Sequence, residues 1–194
     1  MELIFATNNQ HKVDEIRSAL NSAIGIKTLK QAGIDIEIEE PFDTLEENAR
    51  EKCQVIHRLT GANCFAEDTG LEVSALGGAP GVRSARFAGE PPNHHANIEK
   101  LLTQLTGNTA RDARFRTVIC LVFEEKEHFF EGICEGRIIE VPRGSKGFGY
   151  DPVFIPTGAE RTFAEMEMDE KNRYSHRKKA ADQLVLFLQH RMTT

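Results

Sequence analysis

LIFATNNQHKVDEIRSAL, residues 3–20, decides how the rest of the chain is read. Leu3-Ile4-Phe5-Ala6 is a short apolar run of the kind a buried strand needs. Thr7-Asn8-Asn9-Gln10-His11-Lys12 is polar, and Val13, Ile16 and Leu20 then recur at helical spacing. Strand, polar turn and helix in that order open an α/β protein. A loop entering a helix also presents unpaired N–H groups and the positive end of the helix dipole. Thr7, Asn8, Asn9, Gln10 and His11 let a phosphate come close, and Lys12 supplies a full charge. Taken alone, the same turn reads as a helix cap with one exposed lysine. No GxxxxGK[ST] loop occurs in the chain, so any phosphate site here is not of the Walker type.

Outward from this unit, residues 34–38 alternate apolar and acidic positions and predict a second strand. Thr44 and Glu47 form a capping-box pattern for a helix that turns Leu45, Ala49, Cys53 and Ile56 inward. Cys64-Phe65-Ala66 predicts a buried strand ending in Glu67-Asp68-Thr69-Gly70, and residues 71–76 continue as strand. Asn93 caps a helix carrying Ile98, Leu101, Leu102 and Leu105. Residues 115–123 and 129–141 pair as an antiparallel hairpin. A last helix begins near Ser175, with Ala181, Leu184, Val185 and Leu188 inward. The sum is an α/β fold, a mixed sheet with an antiparallel component, in one domain over residues 1–194.

The net charge of −6 argues against broad attachment to nucleic acid or an acidic membrane. No apolar stretch approaches the roughly 18 residues that span a bilayer. The N-terminus lacks the basic start of a signal peptide and reads as a strand. Cys53, Cys64, Cys120 and Cys134 include no CxxC pair and sit among apolar neighbours, as buried thiols do in a reducing cytosol. A cytoplasmic location is the expectation.

Three further constellations carry chemistry. Glu67-Asp68 at a strand end offers two adjacent carboxylates to a hard divalent cation, and either one can orient or deprotonate a water. Its plain reading is an acidic turn. Glu39 and Glu40, in the acidic run after residues 34–38, are candidates for a further metal ligand. Residues 142–152 form a glycine-rich loop in which Phe148 or Tyr150 can stack on a flat ring, Gly149 lets a ligand approach and Asp151 accepts a hydrogen bond. Its plain reading is a hairpin connection. Finally, Lys171, Arg173, His176, Arg177, Lys178 and Lys179 crowd the start of the last helix, where the dipole disfavours cations. A nearby anion or an electron-rich ligand group resolves that conflict, and His176 and Arg177 stand nearest to the cap.

Thr7-x-Asn9-x-x-Lys12, Glu67-Asp68-Thr69-Gly70-Leu71, Leu76-Gly77-Gly78-Ala79-Pro80-Gly81, Gly147-Phe148-Gly149-Tyr150-Asp151-Pro152 and Ser175-His176-Arg177 cover nearly the whole chain in this order. Together they resemble the inosine triphosphate pyrophosphatase family, also described as dITP/XTP pyrophosphatases. Asn8 is a departure, since the family often has glycine there, but Asn tolerates unusual backbone angles. The resemblance implies an elongated fold whose two lobes flank a central substrate groove, usually in a homodimer. It implies Mg2+-dependent hydrolysis of ITP, dITP or XTP to the monophosphate and pyrophosphate. By position, Thr7 to Lys12 hold the triphosphate, and Asp68 binds magnesium and acts as base on the attacking water, with Thr69 beside it. Glu40 or Glu39, with Glu37 as rival, completes the metal site. Phe148, Gly149, Tyr150, Asp151, Lys171, His176 and Arg177 contact the base and sugar end.

The expected partner is a small nucleotide, with no nucleic acid and no membrane. A cation beside Asp68 is expected to keep it ionised. Donors such as His176 and Arg177 favour a 6-oxo purine over adenine, whose amino group they leave unpaired. Two other readings remain: a nucleotide sensor without catalysis, and a pyrophosphatase for other modified nucleotides. Carboxylates beside phosphates weigh against the sensor, because they require a cation between them. A module binding nucleic acid through residues 171–179 conflicts with the overall acidity.

Overall fold

The structure is a computed structural model and describes residues 1–20 and 24–192. In chain order the described residues form β1 (Glu2–Phe5), α1 (Gln10–Ala19), β2 (Gly25–Thr28), α2 (Leu45–Thr60), β3 (Cys64–Val73), β4 (Pro80–Gly81) and α3 (His94–Gln104). There follow β5 (Asp112–Phe123), β6 (Lys126–Ile138), β7 (Phe154–Pro156), α4 (Met168–Lys171) and α5 (His176–Met192). The strands hydrogen-bond in the order β2-β1-β3-β5-β6-β7, with β4 on β3. β1 runs parallel to β2 and β3, whereas β4 and β7 pair antiparallel with β3 and β6, so the sheet is mixed as expected.

The chain makes two compact units. The first comprises Met1–Asp68, Thr117–Gly132 and His176–Thr194; the second comprises Thr69–Arg116 and Ile133–Ser175. In the first unit, residues 117–123 of β5 are buried without a break, because both faces of the strand are covered. Ile119, Leu121 and Phe123 pack with Val13 and Ile16 of α1 and Ala181, Leu184 and Leu188 of α5. The alternate position Cys120 meets Cys53 of α2, which also meets Cys64 of β3. The period of two in a strand therefore sorts one segment between two helical layers. The Cys53 and Cys64 sulfurs lie 3.6 Å apart, and thiol contacts with Cys120 and Cys64, followed by burial, push the Cys53 thiol up. The second unit has its own core, in which Leu71, Ile98, Leu101, Phe115, Phe154 and Phe163 pack together.

Two sequence expectations are corrected. Residues 34–38 form no strand; the partner of β1 on that side is β2, Gly25–Thr28. The alternation survives as exposure, with Ile34, Ile36 and Ile38 half-buried between exposed acids, but the segment remains an extended connection. Residues 71–76 leave the strand at Val73, and Ser74–Leu76 makes a turn of 3-10 helix closed by left-handed Gly77. The hairpin, the helix capped by Asn93 and the helix capped by Thr44 are formed, and Thr44 accepts from the Glu47 amide. Among the described residues no helix is long and apolar enough to cross a membrane.

Candidate active site

The polar cluster of the first unit is built on β3. Consecutive strand residues point to opposite faces, so Glu67 and Asp68, adjacent in sequence, are sent to different neighbours. The Lys12 charge nevertheless acts on both. Glu67 faces Lys12, at 3.2 Å, and Arg177 of α5, whose Nε and Nη2 donate at 2.7 and 3.0 Å. Nη1 of Arg177 bonds to Glu15 of α1. Burial by itself would raise the Glu67 carboxyl, but Arg177 and then Lys12 outweigh it and hold the group down to about 2. The same two carboxylates push the Arg177 guanidinium up against the opposing pull of burial.

Asp68 faces α2. Its Oδ1 lies 3.2 Å from the Lys52 ammonium, which also bonds to Glu40, and its Oδ2 lies 3.5 Å from the Asn48 amide. Burial raises the Asp68 carboxyl; Lys52 and Lys12 pull it back, and Glu40 adds to the rise. Desolvation is the largest of these influences, set against the two nearby ammonium groups. Lys52 is lowered by burial and raised more strongly by Asp68 and Glu40. The two shifts are compatible, since two carboxylates sharing one ammonium hold it firmly protonated while opposing each other's ionisation. Asn48 also fixes the approach to α2, accepting from the Phe42 amide at 2.9 Å and donating to the Phe42 carbonyl at 3.0 Å.

The turn of residues 7–12 enters α1 as expected. Thr7 Oγ1 accepts from the Asn9 amide at 3.2 Å, and Asn9 Oδ1 caps the Lys12 amide at 3.3 Å. Gln10 and His11 are exposed, with Gln10 donating to Asp14. Asn8 donates to the Ile36 carbonyl at 3.0 Å, which ties the turn to the acidic segment that delivers Glu40. Glu37 and Glu39 are exposed, whereas Glu40 is half-buried against Lys52. His176 is buried at the first position of α5. Gly132 of β6 lets that strand approach closely, because a Cβ there would collide with the His176 carbonyl.

The second unit holds the other group. Phe148 is half-buried, and the Lys171 ammonium stands 5.6 Å from its ring centre. Asp151 is buried and accepts from Lys171 Nζ at 2.6 Å and from the Phe148 amide at 3.0 Å. Gly147, with φ of 71°, leaves room for that carboxylate, which a Cβ would strike. Gly149 and Thr69 are half-buried. Tyr150 departs from its expected role as a stacking surface. It belongs to the core of the unit, with its hydroxyl donating to the Ser84 carbonyl at 2.8 Å, as a buried tyrosine requires. The basic run also separates: Lys171 ends α4, Lys178 pairs with Asp182, and Lys179 is exposed.

Sequence reasoning missed Lys52, Asn48 and Glu15. The only signal available was that a lysine or asparagine on the inward face of α2, beside Ala49, Cys53 and Ile56, needs a partner when buried.

A mixed α/β protein with a lysine-bearing turn at a helix start and two carboxylates sharing a buried ammonium has the equipment of a phosphate-handling protein. The Ham1 family profile matches residues 3–187, and the chain belongs to that family. A dITP/XTP pyrophosphatase of Christiangramia forsetii is 50% identical over 97% of this chain and 99% of its own length. One from Porphyromonas gingivalis is 53% identical over 96% of this chain and 97% of its own. Among solved structures, the Staphylococcus aureus Ham1 protein superposes with a TM-score of 0.89 at 35% identity, over 98% of this chain and all (100%) of its own. A nucleoside-triphosphatase / dITP/XTP pyrophosphatase from Mycobacterium abscessus gives a TM-score of 0.77 at 37% identity, over 95% of this chain and 99% of its own.

Proposed function

We propose that this chain hydrolyses dITP, XTP and ITP to the monophosphate and pyrophosphate, with magnesium, and so clears aberrant purine nucleotides. It is further proposed to work in the cytoplasm, where its buried thiols stay reduced, and, on the resemblance alone, as a homodimer. The observation that carries the catalytic reading is the bridge from Glu40 through the Lys52 ammonium to Asp68, two hard oxygen donors that already share a cation. Magnesium takes one or two protein carboxylates together with phosphate oxygens and water, so the pair fits it. It fits even though the described residues hold no group of three metal ligands. Glu40 and Asp68, rather than exposed Glu39, would hold the ion, which when bound would draw charge from the phosphates.

The remaining work belongs to side chains. Lys12, fixed by Glu67, meets the negative charge that builds on the departing pyrophosphate. Asp68 accepts a proton from the attacking water as the water oxygen bonds to the α-phosphorus and the bond to the bridging oxygen breaks. Its upward shift through burial suits a proton acceptor. Arg177 meets Glu67 and Glu15 with three nitrogens, so its part is to fix Glu67 and through it Lys12. The resemblance assigns the base end of the substrate to Phe148, Lys171 and His176.

Asp68→Asn tests this directly. The variant should remain folded and lose turnover on dITP by a factor of roughly 10³ or more, as removal of a general base and metal ligand does. Wild-type protein should yield dIMP and pyrophosphate rather than orthophosphate. Near-normal turnover by the variant removes the assigned role.

A further inference from the structure

Lys52 is buried on α2 and does more than neutralise one acid. Its ammonium joins two carboxylates brought from separate parts of the chain, Glu40 from the irregular segment before α2 and Asp68 from β3, the latter at 3.2 Å. Both are the oxygens assigned above to magnesium, so this step rests on that reading. A magnesium ion approaches carboxylate oxygens to about 2.1 Å. Two cations cannot occupy the same pair at those ranges without strong repulsion, whereas one cation there offsets the repulsion between buried Asp68 and half-buried Glu40.

We infer that Lys52 is a resident counter-ion that holds Glu40 and Asp68 in place in the nucleotide-free protein and must swing aside before the metal enters. The lysine stem has four rotatable carbons, so the ammonium can leave the pair without movement of α2. Metal ions then compete with a tethered cation whose effective concentration is high. The free protein is thereby kept poor in metal, and the ion enters efficiently only with a nucleotide, whose phosphates supply the additional negative charge. Asn48 keeps Asp68 directed at this spot in either state, because its amide is anchored on the Phe42 backbone.

The competition is measured by Mn2+ titration of nucleotide-free protein, followed by electron paramagnetic resonance, in wild type and Lys52→Gln. Folding of the variant is checked by circular dichroism and a urea unfolding curve. Loss of the competing cation should tighten Mn2+ binding by about tenfold, an ordinary coupling between two ligands of one site. An affinity equal to or weaker than that of wild type overturns the inference and leaves the metal reading standing. If wild type binds no Mn2+ even with the α,β-imido analogue of dITP, the metal reading falls as well. Wild-type crystals soaked in Mn2+ without nucleotide give a second view that needs no variant. Lys52 Nζ should be displaced from between the carboxylates wherever Mn2+ is seen, and a bridging Lys52 beside bound Mn2+ contradicts the proposal.

Discussion

Arg177 is 2% exposed, and its Nε, Nη1 and Nη2 each meet a carboxylate oxygen of Glu67 or Glu15. Buried charge of this kind is tolerated only while each member is paired. Arg177→Leu removes the guanidinium from buried Glu67 and Glu15 and leaves Lys12 beside Glu67, and the protein should lose about 3–5 kcal/mol of stability. A urea midpoint within error of wild type would show that these carboxylates are hydrated or protonated instead. At this scale the sequence revealed which residues matter better than what they do. Arg177 was legible as an anomaly, a cation at the wrong end of a helix, but its partner Glu15 lies 162 residues away and no local pattern links them. Glu67 and Asp68 were legible as a pair, and the strand's alternation, equally available, would have separated them. Tyr150 and Phe148 differ by two positions in one glycine-rich loop, and only tertiary packing decides which one enters the core.

Among elements, those with strong local signals formed where they were expected, because cap, period and burial agreed. α2 has Thr44 as its cap and buries Leu45, Ala49, Cys53 and Ile56 on one face. Residues 34–38 have the alternation of a strand but do not join the sheet; the partner of β1 on that side is β2, which ends the strand order. Alternation describes exposure, and a ladder needs a neighbour as well. The β5–β6 hairpin turns on Glu124 and Glu125, with φ of 49° and 63°, and the Glu124 amide is taken by Asn63 at 3.0 Å. Both residues therefore sit in the left-handed region that Asn and Gly adopt more cheaply. The double change Glu124→Asn, Glu125→Gly should raise stability by about 1 kcal/mol, read as an increased urea midpoint with unchanged slope. An unchanged or lower midpoint would mean that the glutamates gain something in the turn that outweighs backbone strain.

For the molecule as a whole, the mixed α/β class was legible from the order of segments, and family membership from five short motifs in register. A division into two parts was implied by the resemblance and by no local pattern, because β3, β5 and β6 each contribute residues to both compact units and no linker marks a boundary. The proposed chemistry assigns phosphate handling to Lys12, Glu40 and Asp68 of the first unit. Its central claim is that an oxo-purine triphosphate is cleaved to release pyrophosphate. The decisive measurement is initial-rate pyrophosphate release over dITP, ITP, XTP, ATP, GTP, CTP and UTP, with and without Mg2+. The account predicts release from dITP, ITP and XTP that depends on Mg2+ and exceeds ATP by roughly 10² or more in kcat/KM, the discrimination that unpaired buried donors impose, and that also exceeds GTP, whose 2-amino group must be refused. Comparable rates on all seven, or release that is indifferent to Mg2+, would contradict it.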